Sequence, residues 1–120
     1  MNEHDEILEK SLTRLKNNFF TEIKSVLSDS DSPSPIPLPG ISDPYTPDIT
    51  AKKNSIGYII EVETLDSLKD PEHNAILKAI SKYAESNGIE LVVVVPVSGF
   101  MEAGKKLSQL KVDASIWDVQ

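Results

Sequence analysis

The sequence predicts an α/β domain in which a mixed sheet is flanked by helices. Segments rich in β-branched and aromatic residues alternate with segments of helical spacing along the chain. The unbroken apolar run at residues 91–95 is typical of a strand that is covered on both faces. A chain of 120 residues matches one domain with one core. We therefore predict a single domain with the element order α-β-β-α-β-α-β.

The first segment, residues 1–27, is predicted to form an amphipathic helix from residue 5 onward. Its apolar positions recur at alternating spacings of three and four, which is the period of one helical stripe. These positions are Leu8, Leu12, Leu15, Phe19, Ile23 and Val26. The stripe can pack on the sheet of its own chain or pair with a second copy in a homodimer, and the sequence leaves both readings open.

Residues 28–47 form a second segment, rich in serine and proline, that is predicted to be a long loop. Proline lacks a backbone N–H and interrupts both helices and central strands. We expect the first half of this segment to be disordered and the second half to be ordered, because the second half leads directly to Asp48.

The remaining segment, residues 48–120, is predicted to form the α/β core. Its elements are strands 48–53 and 56–63 joined by a turn at Asn54 and Ser55, a helix from 71 to about 86, a strand at 89–97, a helix at 100–110 and a strand at 114–119. Asp70 is the predicted N-cap of the first of these helices, with Pro71 in its first turn. Gly88 is expected to end that helix in the left-handed conformation.

Composition excludes several classes of function. The chain contains no cysteine, so it has no disulfide framework, thiolate zinc site or cysteine nucleophile. Its net charge of −7 means that any binding of nucleic acid requires a local basic patch, a metal ion or a partner subunit. The acidic first residues do not resemble a secretory signal, and no apolar run approaches the roughly 20 residues that span a bilayer. We expect a cytoplasmic protein with no membrane partner.

Three acidic residues are predicted to converge at the hairpin of the core. Glu61 and Glu63 are two positions apart on one strand and therefore point to the same face, and Asp48 opens the neighbouring strand. Two carboxylates about 4 Å apart repel by about 4 kcal/mol at an effective dielectric constant of about 20. A cation would relieve this repulsion, and ligands that are all oxygen favour Mg²⁺ or Mn²⁺.

These acidic residues also resemble the motif of the PD-(D/E)XK nuclease superfamily, which includes type II restriction enzymes. Pro47-Asp48 is similar to the PD pair, and Glu61-Val62-Glu63 is similar to the (D/E)XK triplet. The resemblance covers roughly residues 5–96 and implies a restriction-endonuclease-like αββαβ core. Glu63 departs from the pattern because it occupies the position of the usual lysine.

The resemblance implies roles for individual residues. Asp48 and Glu61 would ligate the metal ion, while Glu63 would ligate it or act as a general base toward water. Glu6 or Glu9 would correspond to the additional helical carboxylate that some members of the superfamily use. The first predicted function is therefore a Mg²⁺- or Mn²⁺-dependent endonuclease acting on nucleic acid, or a descendant that has lost activity. A dimer would let two such sites face two strands.

Lys52 is a candidate to replace the missing lysine. It lies four residues along the strand from Asp48, on the same face, where an ammonium group can stabilise developing phosphate charge. His4 and His73 have no ligand spacing and are expected at the surface, although His73 could approach the acidic residues from the following helix.

An alternative of a different class stays open. The chain would then be a non-catalytic interaction or regulatory domain that uses its first helix and the proline-rich loop to bind a partner protein or a second copy. The acidic net charge favours this alternative over nucleic-acid binding.

Overall fold

A computed structural model of the chain describes residues 2–28 and 31–120. The elements are α1 (Glu3–Asn17), β1 (Thr21–Ser25), β2 (Ile49–Lys53), β3 (Ile56–Val62), α2 (Leu65–Leu68), α3 (Pro71–Asn87), β4 (Glu90–Pro96), a 3-10 turn (Val97–Gly99), α4 (Phe100–Leu110) and β5 (Ser115–Val119). The strands form one mixed sheet in the order β1-β2-β3-β4-β5. The first three strands are antiparallel neighbours, whereas β3, β4 and β5 run parallel. The predicted α/β class is confirmed.

The hairpin of β2 and β3 has the register that the sequence suggests. Ile49 pairs with Ile60 and Lys53 pairs with Ile56. Asn54 and Ser55 both have positive φ, at 53° and 67°, so the two-residue turn has the left-handed geometry that matches the twist of a hairpin. This register places the start of β2 beside the end of β3.

The two faces of the sheet are covered by different helices. On one face, Leu8 and Leu15 of α1 pack with Ile60 of β3. On the other face, Ile80 of α3 and Leu107 of α4 pack with residues of β4. The alternation of side chains along β3 therefore assigns even-numbered residues to the α1 face and odd-numbered residues to the α3 face.

Part of the predicted apolar stripe is buried within its own chain, whereas Phe19 and Val26 of the same stripe are exposed. Ile7, Leu8 and Leu15 are buried against the sheet. Packing on the domain's own sheet is confirmed for Leu8 and Leu15 of this stripe, and pairing with a second copy stays a prediction.

The predicted length of the first helix is wrong, because α1 ends at Asn17 and an additional strand, β1, follows it. Phe19 has a φ of 63°, a left-handed conformation that stops the helix. The reversal leaves the Phe19 side chain 85% exposed and buries Phe20 instead. The spacing of Phe19 and Ile23 fits a helix, but the segment gains more by pairing along the edge of β2, where β-branched residues are favoured.

The proline-rich segment is ordered over the described residues that follow position 30. Leu38 lies in the core on the α3 face. Ile36 and Tyr45 exchange two backbone hydrogen bonds of 2.8 and 2.9 Å. The disorder predicted for the first half of this segment does not hold for Pro33, which is buried. Residues 29 and 30, to which the same prediction applied, lie outside the described residues.

The ends of α3 agree with the sequence, and the loop before it contains a short helix. The Asp70 side chain caps α3 by accepting a hydrogen bond of 3.1 Å from the Glu72 N–H. Gly88 ends it with a φ of 64°. Between the predicted strand at 56–63 and the predicted helix from 71, the chain forms α2, which begins at a capping box made by Thr64 and Ser67. Among the described residues, no helix is long and apolar enough to cross a membrane.

Candidate carboxylate site

The three predicted acidic residues lie together where β2 begins and β3 ends. The pairing of Ile49 with Ile60 brings Asp48, one residue before β2, opposite Glu61. Glu61 and Glu63 share the α3 face with Ile59, as the period of two predicts. Their convergence at one end of the hairpin agrees with the sequence analysis.

Glu61 is the most deeply buried member of the site. It is 2% exposed, and both of its carboxylate oxygens accept hydrogen bonds. Oε2 accepts from the Asp48 backbone N–H at 2.8 Å. Oε1 accepts from the hydroxyl of Tyr45, which the ordered loop brings over the sheet. These two donors make burial of the carboxylate tolerable.

Asp48 is bound by the opposite strand and by the first helix. Its Oδ2 accepts a hydrogen bond of 2.8 Å from the Val62 N–H, and it lies 3.2 Å from His4 Nε2. Asp48 and the β3 strand therefore hold each other reciprocally, since the Asp48 N–H in turn bonds Glu61. The Asp48 side chain is 14% exposed, so the site opens to solvent beside it.

Glu63 is buried without full hydrogen bonding. It is 4% exposed, and its Oε1 has no hydrogen-bond partner among the described residues. Its Oε2 lies 3.9 Å from Nδ1 of His73, which reaches back from the first turn of α3. A buried polar atom without a partner costs about 1–3 kcal/mol, so Glu63 Oε1 marks a place where a proton or a cation would stabilise the domain.

Burial and mutual repulsion perturb the acidities of the site. Burial, followed by the charge of Asp48, raises the pKa of Glu61 well above its usual value. The same two causes raise the pKa of Glu63 to about 7. The hydrogen bond to Asp48 raises the pKa of His4 to about 9, although partial burial opposes it. His4 is therefore a cation at neutral pH and faces Asp48 as an ion pair.

Two residues predicted for this site lie elsewhere. Lys52 is more than half exposed and pairs with Glu22 at 3.5 Å, because four residues of extended strand separate it from Asp48. Glu9 is on the exposed side of α1, and so is Glu6.

Two residues of the site were not predicted to belong to it. His4 was expected at the surface, but it is the residue of α1 that contacts the site, through Asp48. Tyr45 was not singled out at all. No local pattern signals either contact, because each joins segments that are far apart in the sequence. The approach of His73 to the acidic residues was foreseen and is observed.

The donor set fits a hard cation in part. The acidic residues supply only oxygen, as Mg²⁺ and Mn²⁺ prefer, and Glu63 Oε1 has free acceptor capacity. Both oxygens of Glu61, however, already accept protein hydrogen bonds. Across residues 2–28 and 31–120, no group of three or more histidine, aspartate or glutamate side chains is arranged to hold a metal ion. Ion binding at this site would therefore require the Tyr45 or Asp48 donor to move.

Fold and site together define an α/β domain whose mixed sheet carries a buried carboxylate cluster at one end of an antiparallel strand pair. Comparison of the chain with protein-family models, curated proteins and solved structures gives no significant match. A fold alone does not define a function, which depends on the side chains of the site.

Proposed function

We propose that this domain is nuclease-like, binding Mg²⁺ or Mn²⁺ through Asp48, Glu61 and Glu63 and hydrolysing phosphodiester bonds of nucleic acid. The observation that carries the proposal is that three carboxylates meet where two neighbouring strands begin and end. One of these carboxylates, Glu63, has a buried oxygen without a hydrogen-bond partner among the described residues. The motif resemblance in the sequence points to the same residues.

Electrostatics supports a cation as the partner of this cluster. Two carboxylates about 4 Å apart repel by about 4 kcal/mol at an effective dielectric constant of about 20. Burial first, and then repulsion from Asp48, raises the pKa values of Glu61 and Glu63. A proton relieves the repulsion in the absence of an ion, so protons and divalent ions compete for the site.

The residues around the cluster suit phosphodiester hydrolysis. A bound ion would neutralise the carboxylates and help to activate water. Glu63 would either ligate the ion or act as a general base; without an ion, burial and the charge of Asp48 raise its pKa to about 7, and a bound ion would lower it. His4, as a cation beside Asp48, supplies positive charge that a lysine would supply in the motif. Lys52 and Glu9 have no role in this proposal because they lie outside the site.

Titration with Mg²⁺ and Mn²⁺ tests ion binding. We expect saturable shifts of the backbone amide resonances of residues 48 and 61–63 at millimolar ion and a rise in the thermal midpoint. Asp48→Asn should abolish both effects, whereas Glu85→Gln, at an exposed position on α3, should retain them. Unchanged spectra of the wild-type protein in millimolar Mg²⁺ and Mn²⁺ would refute the metal site.

Cleavage assays test the chemistry separately. Branched, single-stranded and duplex DNA are incubated with the protein and Mn²⁺, and products are resolved by electrophoresis. We expect cleavage of at least one substrate, lost in Glu63→Gln and retained in Glu85→Gln. If the protein binds the ion but cleaves none of the three DNA substrates, the proposed catalysis is rejected. The domain would then be an ion-binding descendant of a nuclease.

The alternative of an interaction domain has fewer apolar side chains available than the sequence pattern suggests. Leu8 and Leu15, which would form the docking stripe of the first helix, are buried against the sheet. Leu38 of the proline-rich segment is buried on the opposite face. These three side chains are closed to a partner, whereas Phe19, Val26 and Leu27 are exposed and remain available to one. We prefer the first proposal because the carboxylate site offers a specific arrangement of charged groups.

A further inference from the structure

A cavity separate from the carboxylate site lies on the α1 face of the sheet, near the turn of the β2–β3 hairpin. Its volume is about 410 Å³, within the range of roughly 300–1,000 Å³ that is typical of small-molecule sites. The residues that line it are Arg14, Asn18, Phe20, Lys53, Asn54, Tyr58, Val92, Ser115 and Trp117. It is remote from the carboxylate site, because Tyr58 lies near the start of β3 on the α1 face and Glu63 follows its end on the α3 face.

Aromatic side chains form one wall of this cavity. Phe20 contacts Tyr58 and Trp117 edge to face, with ring centroids 5.0 and 6.0 Å apart. Tyr58 and Trp117 are only partly buried, so part of each ring faces the cavity. A planar ring can stack on such a surface, because stacking on aromatic side chains tolerates many ring types.

Two cations lie over rings of the aromatic wall. The Arg14 guanidinium lies 4.3 Å from the Trp117 ring centroid, and the Lys53 ammonium lies 5.1 Å from that of Phe20. The ion pairs of the described residues involve histidines or Lys52, and neither Arg14 nor Lys53 takes part in one. No acidic side chain lines the cavity, although the chain as a whole carries a net charge of −7. The cavity therefore carries a local positive charge.

We propose that this cavity binds a free mononucleotide, with its base against Tyr58 and its phosphate at Lys53 and at Arg14, which itself lies over the Trp117 ring. The Arg14 guanidinium donates one hydrogen bond of 3.3 Å to the Asp118 carbonyl and retains further N–H donors for a phosphate, while the Lys53 ammonium adds a point charge. Asn18 and Asn54 supply amides that can recognise the polar edge of a base. This inference does not depend on the carboxylate site or on nuclease activity.

The fluorescence of Trp117 provides a direct test, because it is the only tryptophan of the chain. The full-length protein is titrated with adenosine 5′-monophosphate while the indole is excited at the red edge of its absorption. We expect a saturable change in emission at micromolar to millimolar nucleotide. Adenosine and inorganic phosphate, each carrying half of the ligand chemistry, should each bind at least about tenfold more weakly.

Two lysine variants separate the site from general charge effects. Lys53→Met keeps the length of the side chain and should weaken binding at least about tenfold. Lys82→Met removes an exposed lysine of α3 and should leave the affinity unchanged. Circular dichroism shows whether each variant is folded. If Lys53→Met does not fold, amide shifts of Asn54 and Ser115 in the wild-type protein replace it as the reporter.

Several results would overturn the proposal. The first is that neither Trp117 emission nor the amide resonances change saturably with millimolar nucleotide. The second is that the nucleotide and adenosine bind with equal affinity. The third is that the two lysine variants lose the same amount of nucleotide affinity. A single-stranded oligonucleotide that changes Trp117 emission where the mononucleotide does not would overturn it as well, since the ligand would then be a polymer.

Discussion

Glu63→Gln should flatten the pH dependence of stability, because it removes one of the two buried glutamates with raised pKa values. The folded protein raises the pKa of Glu63 from its usual 4.5 to about 7. A group whose pKa is higher in the folded state holds its proton more tightly there, so its stabilising contribution is fully present below pH 4.5 and is lost as the pH rises through about 7. Glu61 acts in the same direction.

The size of the effect follows from the two pKa values. A tenfold change in proton affinity corresponds to about 1.4 kcal/mol, so the pKa of about 7 against 4.5 corresponds to about 3 kcal/mol of unfolding free energy. Little of this is screened, because the Glu63 side chain is only 5% exposed. Against the roughly 5–15 kcal/mol that stabilises an ordinary domain, a change of this size is readily measured.

Urea unfolding followed by circular dichroism between about pH 5 and pH 8 provides the assay. The unfolding free energy of the wild-type protein should fall as the pH rises across this interval. In Glu63→Gln this fall should be smaller, by up to about 3 kcal/mol. Glu85→Gln, at an exposed position on α3, is the matched control and should follow the wild type. The reasoning is refuted if Glu63→Gln and the wild type have the same pH slope, or if the wild type gains stability as the pH rises.

Three further predictions concern single contacts. Tyr45→Phe removes a donor from buried Glu61 and should lower the unfolding free energy by about 1–3 kcal/mol; an unchanged urea midpoint would contradict this hydrogen bond. The imidazole of His4 should titrate with a midpoint of about 9 in a proton NMR series and move toward 6.5 in Asp48→Asn, and a midpoint near 6.5 in the wild type would show that the pair does not form. Ser55→Gly should raise the thermal midpoint, with a gain of about 1 kcal/mol, because Ser55 has a φ of 67° that glycine adopts without steric cost; a lowered midpoint would exclude strain at this turn.

Local pattern was enough to predict much of this protein. The period of two along the hairpin placed Glu61 and Glu63 on one face, and the turn at Asn54 and Ser55 set the register that brings Asp48 beside them. The ends of α3 could also be predicted, because a capping aspartate and a terminal glycine each act within one turn of the helix. In each of these cases the interacting groups are close in sequence or are related by a simple repeat.

Tertiary structure decided what the chain's periodicity left ambiguous. The segment after Asn17 has spacings compatible with a helix, and only the free edge of β2 makes it a strand. His4 reaches Asp48 and Tyr45 reaches Glu61 because α1 and the proline-rich loop pack at the same end of the hairpin. These contacts join residues that are distant along the chain, and they depend on how whole elements pack, which no local repeat encodes.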